Sequence, residues 1–351
     1  MQPLVRGPLD STYRACDGSA VELNTAMHDI DIRTIAPHER DAVLDLLADW
    51  LDDRAFFARY FQHDPTFRDD LCFVAVDRER IVSTLQVFRK RVRLRGAVVE
   101  VAGVGNVFTA ADYREHGLAS QLLTRAIAAM EVHGFDLSML FATRLVFYGR
   151  HGWQSHVRHL IFIEPADAPS TGPYDIAPFV KTDLDAVARI YDSYATDLSG
   201  TTVRDHAYWL GQLRYAGNPH EDFLVARDGG SVVAYARGTP LYDFYVIMEH
   251  ACLPGHDEAL AQLVCRLHGT AAAAFPGTIT QLASAPAVQE RLRSRGLVLR
   301  SVEDMFWMWR IISPERLAAK LGVTADDLAG DDVYQRLLPP ERSVFWIADR
   351  F

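Results

Sequence analysis

The chain of 351 residues is short of cysteine: four occur, Cys16, Cys72, Cys252 and Cys265, and no two are spaced as CxxC. That argues against a zinc ribbon or a dithiol redox motif and fits a reducing compartment with no disulfide framework. Long apolar runs are missing too. None reaches the ~18–20 residues a membrane span needs. The beginning of the chain lacks the apolar segment of a signal peptide. A cytoplasmic protein with no membrane partner is therefore expected. Positive charge is also in deficit: 36 Lys and Arg stand against 46 Asp and Glu, a formal net charge of −10. This disfavours a nucleic-acid partner and favours cationic or neutral small substrates. No GxxxxGK[ST] occurs, which excludes a P-loop. GVGNVF, Gly103 to Phe108, has two glycines of GxGxxG but lacks the third, and it lies inside a strand-like run. A Rossmann dinucleotide site is not expected there.

What is present is an ordinary globular composition, 49% hydrophobic and 23% charged, long enough for about two domains. Residues 1–28 show little periodicity and read as a loose leader. From residue 29 the pattern of apolar positions gives β-α-α-β-β-β-α-β-α-β. In the first helix Val43, Leu46, Leu47, Trp50 and Leu51 share one face. The same order of elements recurs from residue 174. Such repetition takes priority over any single motif. The expected fold class is α/β (α+β), with two tandem mixed-sheet units at 29–165 and 174–311. They are joined by the Pro-, Ser- and Gly-rich EPADAPSTGPYD, residues 164–175. Residues 312–351 form a tail with a short helix, a polar loop and a terminal strand.

The informative place is a turn. Asp112-Tyr-Arg-Glu-His-Gly-Leu-Ala-Ser120 follows a long strand and opens an amphipathic helix. A helix N-terminus offers unpaired N–H groups and a partial positive charge to an anion. Gly117 allows close approach of the backbone, Ala119 keeps the next turn small, and Arg114 offers a charge-assisted bond. These are the requirements of a pyrophosphate cradle. A plain strand-to-helix turn is the competing reading.

The order of elements, the Arg114-Glu-His-Gly117-Leu-Ala119 turn and the later FYGRHGW together resemble the GCN5-related N-acetyltransferase (GNAT) superfamily. Its acetyl-CoA turn reads Arg/Gln-x-x-Gly-x-Gly/Ala. The resemblance covers residues 29–163, and the second half carries it as fold pattern only. There the corresponding turn reads LPGHDEALAQLV, with Asp257 and Glu258 where phosphate would dock. That copy is expected to bind no coenzyme A and to serve as scaffold or substrate wall. FATRLVFYGRHGW further resembles the Ala-Ser-Glu-x-x-x-Tyr-Gly-Arg-Phe-Gly-Tyr segment of enhanced-intracellular-survival (Eis) type acetyltransferases, which are also tandem. Their third, sterol-carrier-like domain has no full counterpart in the 40 or so residues after position 311.

The resemblance implies acetyl-CoA as co-substrate and no metal. Val107, Phe108 and Thr109 would hold the pantetheine arm and polarise the thioester. Arg114, Glu115, His116, Gly117, Leu118, Ala119 and Ser120 would carry the pyrophosphate. Thr143 and Arg144 match positions near the cofactor, Arg144 standing where the family has an acid. Tyr148 would be the general acid, and the C-terminal carboxylate of Phe351 the base. A tyrosine of pKa ~10 suits protonation of a thiolate better than work as a base. A packed aromatic at Tyr148 and a tail that only pairs with a sheet edge are the structural alternatives.

The implied activity is transfer of acetyl to a primary amine of a small molecule, such as an aminoglycoside or polyamine. A protein lysine or an amino sugar are rival acceptors, and a non-catalytic acyl-CoA-binding regulatory module is the rival outside enzymes. The acceptor cleft is expected along residues 38–70, which hold nine acidic and four basic side chains. An acidic rim would attract polyamines; a solvated helix face is the plainer reading. His156 and His159, spaced HxxH on a strand, would face opposite ways and so not form a metal site. A homo-oligomer is left open.

Overall fold

The structure, a computed structural model, describes residues 29–351 apart from 168, 217–219, 242 and 272–273. The leader expected at 1–28 lies outside the described residues. The first half runs β1 (Ile30–Thr34), α1 (Arg40–Leu51), α2 (Arg54–His63), β2 (Cys72–Asp77), β3 (Arg80–Leu94), β4 (Ala97–Thr109), α3 (Leu118–Val132), β5 (Leu137–Phe141), α4 (Leu145–Gly149), β6 (Gln154–Ser155) and β7 (Arg158–Ile163). The second half repeats it: β8 (Asp175–Pro178), α5 (Leu184–Ala195), α6 (His206–Tyr215), β9 (Asp222–Asp228), β10 (Ser231–Leu241), β11 (Phe244–Cys252), α7 (Asp257–Ala271), β12 (Thr278–Thr280), α8 (Pro286–Ser294), β13 (Leu299–Asp304) and β14 (Trp307–Ile311). The tail holds α9 (Pro314–Leu321) and α10 (Val333–Leu337).

Two mixed seven-stranded sheets result, ordered β1-β2-β3-β4-β5-β14-β6 and β13-β7-β12-β11-β10-β9-β8. The α/β class and the pair of similar units are as the sequence predicts. The halves at 29–165 and 174–311 nevertheless exchange strands. β14 pairs antiparallel with β5, and β7 lies between β13 and β12 of the other sheet. Each sheet thus contains one strand from the other half.

The helices follow their apolar stripes. In α1, Val43, Leu44, Leu46 and Leu47 are buried, but Trp50 and Leu51 are exposed, contrary to the expected face. Trp50 stacks instead on Phe108 and Phe57, with centroids 6.0 and 6.1 Å apart. Asp53 caps α2 by accepting from the Phe56 N–H, which satisfies one of the orphan donors of the first turn. The segment after α10 is no strand. Apart from one bridge, Ser343 to Ser199, it is irregular with single 3-10 turns at Pro340–Arg342 and Ile347–Asp349. Its apolar side chains, Phe345 and Trp346, are fully buried all the same. Among the described residues no helix is long and apolar enough to cross a membrane.

Candidate active site

β4 carries the site because it parts from β5. The two are parallel neighbours only from Val101↔Leu137 to Gly103↔Met139. β4 continues to Thr109, still paired with β3 on its other side. From Val104 onward its β5-facing edge therefore opens a cleft, and Val107, Phe108 and Thr109 line that stretch. A bulge between Thr84 and Gln86 of β3 and a left-handed Asn106, φ 52°, bend the strand here. The Asn106 amide donates to Gln86 Oε1 at 2.9 Å.

β4 leads through a 3-10 turn at Ala111–Tyr113 into the predicted cradle. Gly117 is the N-cap of α3, in the left-handed region at φ 75°, and no side chain caps this helix. A Cβ there would meet nothing within 4 Å, so the space over the helix end is open. Glu115, at φ 67°, is also left-handed. Leu118 is buried, Ala119 and Ser120 are half-buried, and Arg114, Glu115 and His116 are exposed. Arg114 Nε donates to the Thr109 carbonyl at 3.2 Å, and its guanidinium lies 5.5 Å from the Phe108 ring. One cation thus joins the end of β4 to the turn. Sequence reasoning missed His151, whose Nε2 stands 3.2 Å from Ser120 Oγ. Its place in YGRHGW was the only available signal.

Tyr148 sits in α4, half-buried against the first core, with rings of Phe147 and Trp153 at 5.0 and 6.3 Å. Burial pushes its phenol up to about 12, against the opposing pull of Arg144. It is therefore protonated throughout the neutral range. Arg144 is the N-cap of α4, and Thr143 before it is exposed.

Phe351 ends inside the cleft. Its ring stacks on Phe88 at 5.2 Å and packs near Phe141 and Phe345 at 6.3 and 6.4 Å. Gly103 forms the seat: a Cβ at that position would come within 2.4 Å of two ring carbons. A terminal oxygen of Phe351 lies 3.2 Å from where a Cβ of Gly105 would stand. The incomplete GxG of β4 is thus the bed of the last residue of the chain. Among the described residues, Tyr148 and Phe351 share no ring neighbour.

Six of the nine acids expected to form a rim are in ion pairs. Glu39 pairs with Arg33, Asp41 and Asp45 with Arg54, Asp69 with Arg40, and Asp70 with Arg68. Asp64 is buried and faces Lys90 at 3.7 Å. In the second copy, Asp257 and Glu258 occupy the first turn of α7. Glu258 is bound by Arg291 at 2.9 Å and also by Arg295. The side of the helix where an anion would dock is therefore carboxylate. Among the described residues no group of three or more His, Cys, Asp or Glu side chains could hold a metal. His156 is buried, and His159 faces Ser301 at 3.3 Å.

Residues 31–155 match the family model described as acetyltransferase (GNAT) domain. No curated protein matches the sequence. Solved structures do match in fold. A conserved protein of unknown function from Enterococcus faecalis V583, described as a probable N-acyltransferase, has a TM-score of 0.64 at 15% identity. It covers 84% of this chain and 75% of its own. A GCN5-related N-acetyltransferase from Kribbella flavida scores 0.59 at 16%, over 85% and 74% of the two chains. Eis1 from Mycobacterium abscessus scores 0.56 at 16%, over 83% and 76%.

Proposed function

We propose that the chain is a tandem acetyltransferase of the GCN5-related superfamily and that it moves acetyl from acetyl-CoA directly to a primary amine of a small molecule. The observation that carries this is the opened β4 edge, with an uncapped helix end at one extremity and the chain's own terminal carboxylate in its middle. Acetyl-CoA supplies the activated acyl group. The N–H groups of Leu118, Ala119 and Ser120, with Arg114, hold its pyrophosphate. The backbone of Val107 to Thr109 holds the pantetheine arm and polarises the thioester carbonyl. Thr143, Arg144, Glu115 and His116 border the same path.

Attack forms the N–C bond and breaks the C–S bond, so one proton leaves nitrogen and one reaches sulfur. The Phe351 carboxylate accepts from the amine, directly or through water. Tyr148 donates to the departing thiolate. A phenol near 12 gives its proton to a thiolate of ordinary pKa ~8.5 only at a cost of about 5 kcal/mol. Tyr148 therefore acts chiefly by hydrogen bonding to the sulfur as negative charge develops there; the terminal carboxylate passes the amine's proton to solvent, and the thiolate is released to take one from solvent. With five of the nine acids of 38–70 paired to arginine, attraction to a polycation is reduced. Aromatic side chains of α1, α2 and β4 then matter more to acceptor choice.

The test is a thiol-release screen of acetyl-CoA against amine classes, run with wild type and Tyr148→Phe. Turnover with one class, lowered ~10²–10³-fold in the variant while coenzyme A binding persists, supports the enzyme. Wild-type protein that binds coenzyme A and turns over no amine points to a regulatory module instead.

A further inference from the structure

The second copy holds the tail whose end lies in the first copy's cleft. Four contacts to the second half do this, and Arg158 of the exchanged strand β7 adds a bond from its Nη1 to the Phe345 carbonyl at 3.4 Å. Ser343 bridges Ser199. The Phe345 carbonyl accepts from Gln281 Nε2 at 2.8 Å, and the Ala348 carbonyl from Gln212 Nε2 at 3.2 Å. The fourth contact is ionic. Asp349, wholly buried, accepts from Arg204 Nε and Nη2 at 3.1 and 2.8 Å, from the Tyr208 hydroxyl at 3.1 Å and from Gln212 Nε2 at 3.2 Å.

Arg204 is itself fixed. It makes a forked pair with Glu249 at 2.9 and 2.6 Å and lies between the rings of Tyr191 and Trp209, at 4.1 and 4.4 Å. Glu249 also accepts from Tyr235 at 2.7 Å and faces Arg237 at 3.6 Å. On the other side, Lys90 of β3 donates to the Tyr208 hydroxyl at 2.8 Å and faces Asp64 at the end of α2. The charged chain therefore runs from the first copy's α2 and β3, through Asp349, into the core of the second sheet.

Burying so many charges is poor value for stability alone, since apolar packing of equal volume often does as well. What such a network supplies is one geometry. A two-residue step spans at most ~7 Å. Locking the Asp349 carboxylate thus confines Phe351, whose ring Gly103 admits and Phe88 covers. We propose that Asp349, held by Arg204, Tyr208 and Gln212, is the positioning residue that seats the terminal carboxylate on β4. The second copy then serves catalysis as the anchor of the first copy's C-terminus.

The functional half of this rests on Phe351 as proton acceptor; the seating half does not. The experiment uses the whole chain as wild type, Asp349→Asn and Tyr208→Phe. The asparagine keeps the shape and removes the charge. Release of Phe351 by carboxypeptidase A is timed on folded protein, and kcat and KM for acetyl-CoA are measured beside it. Expected for Asp349→Asn are release at least tenfold faster, kcat at least tenfold lower and an unchanged KM. Tyr208→Phe, which loses the hydroxyl's bonds to Asp349 and Lys90 and no charge, should move both quantities about threefold, and it decides the matter if Asp349→Asn fails to fold. Release and kcat equal to wild type in the folded variants overturn the proposal. Faster release with unchanged kcat upholds the seat and removes Phe351 from the chemistry.

Discussion

Replacing Gly103 by alanine offers a measured displacement of the terminal residue. The added Cβ would stand 2.4, 2.4 and 2.8 Å from three carbons of the Phe351 ring. Ordinary carbon contact begins near 3.5 Å, so the ring must retreat by about 1 Å. Phe88, the cross-strand partner of Gly103, is itself buried and stacked on the ring at 5.2 Å, which leaves the tail as the part that yields. Overpacking of this kind costs about 1–3 kcal/mol. A shift of that size at a reacting group can cost ~10²-fold in rate. The cradle at Arg114 to Ser120 lies beyond the end of β4 and does not touch the added methyl group. We expect kcat to fall between tenfold and a hundredfold, KM for acetyl-CoA to stay within about twofold, and the melting midpoint to drop by a few degrees. Steady-state kinetics with thermal unfolding on the same preparation decide it. A folded Gly103→Ala enzyme with wild-type kcat would refute the reasoning, because the ring cannot remain where it is.

Three further outcomes can be read independently. Gly117→Ala meets no steric neighbour but forces a side chain into the left-handed region at φ 75°. That costs about 1–2 kcal/mol, so coenzyme A affinity by calorimetry should fall about tenfold with little change in kcat at saturation. Extending the chain by two glycines after Phe351 converts the carboxylate into an amide, and kcat should collapse while coenzyme A still binds. His156 and His250 are buried, and burial lowers both to about 4. The unfolded chain binds their protons near pH 6.5, the folded chain only near 4. Stability is thus intact above pH 6.5 and lost as pH falls from 6.5 towards 4, by up to about 3 kcal/mol for each histidine. Urea unfolding across that range should show it, and His250→Gln should flatten the slope.

Much of this fold is written locally. The periods of α1, α3 and α5 and the apolar runs of β2, β4 and β5 are set by neighbours in the chain, and the sequence displays them. The cradle is local too, since Arg114, Gly117 and Ala119 lie on one turn. The rest depends on partners far away. The pairing of Asp69 with Arg40 or of Asp45 with Arg54 joins separate elements, so a count of charges along the chain could not show which acids are paired. The alternating SVFWIADRF suggested a strand, but its residues are placed by side chains at 204, 208, 212 and 281 rather than by a ladder. The glycines of GVGNVF acquired a meaning only when Phe351 was found against them.

The exchange of β7 and β14 was the least legible feature, because a strand records how buried its faces are and not which sheet receives it. Its consequence is a sharp one for dissection of the molecule. β14 fills the first sheet between β5 and β6 with Trp307, Met308 and Trp309, all within 2% of full burial. Two tryptophans at 150–250 Å² each represent about 10 kcal/mol of apolar burial. That matches the whole stability of a typical domain, 5–15 kcal/mol. A fragment ending at residue 165 loses this strand and leaves the edge of β5 bare, while its own β7 has no sheet to enter. It should express as a species without a cooperative melt and with exposed apolar surface. The fragment from 166 onward should fare no better, lacking β7 between β12 and β13. Mixed after co-refolding, the two should recover a single cooperative transition and coenzyme A binding. A cooperative melt and native affinity in the first fragment alone would show that the exchanged strand is dispensable, and that the two copies are separable domains after all.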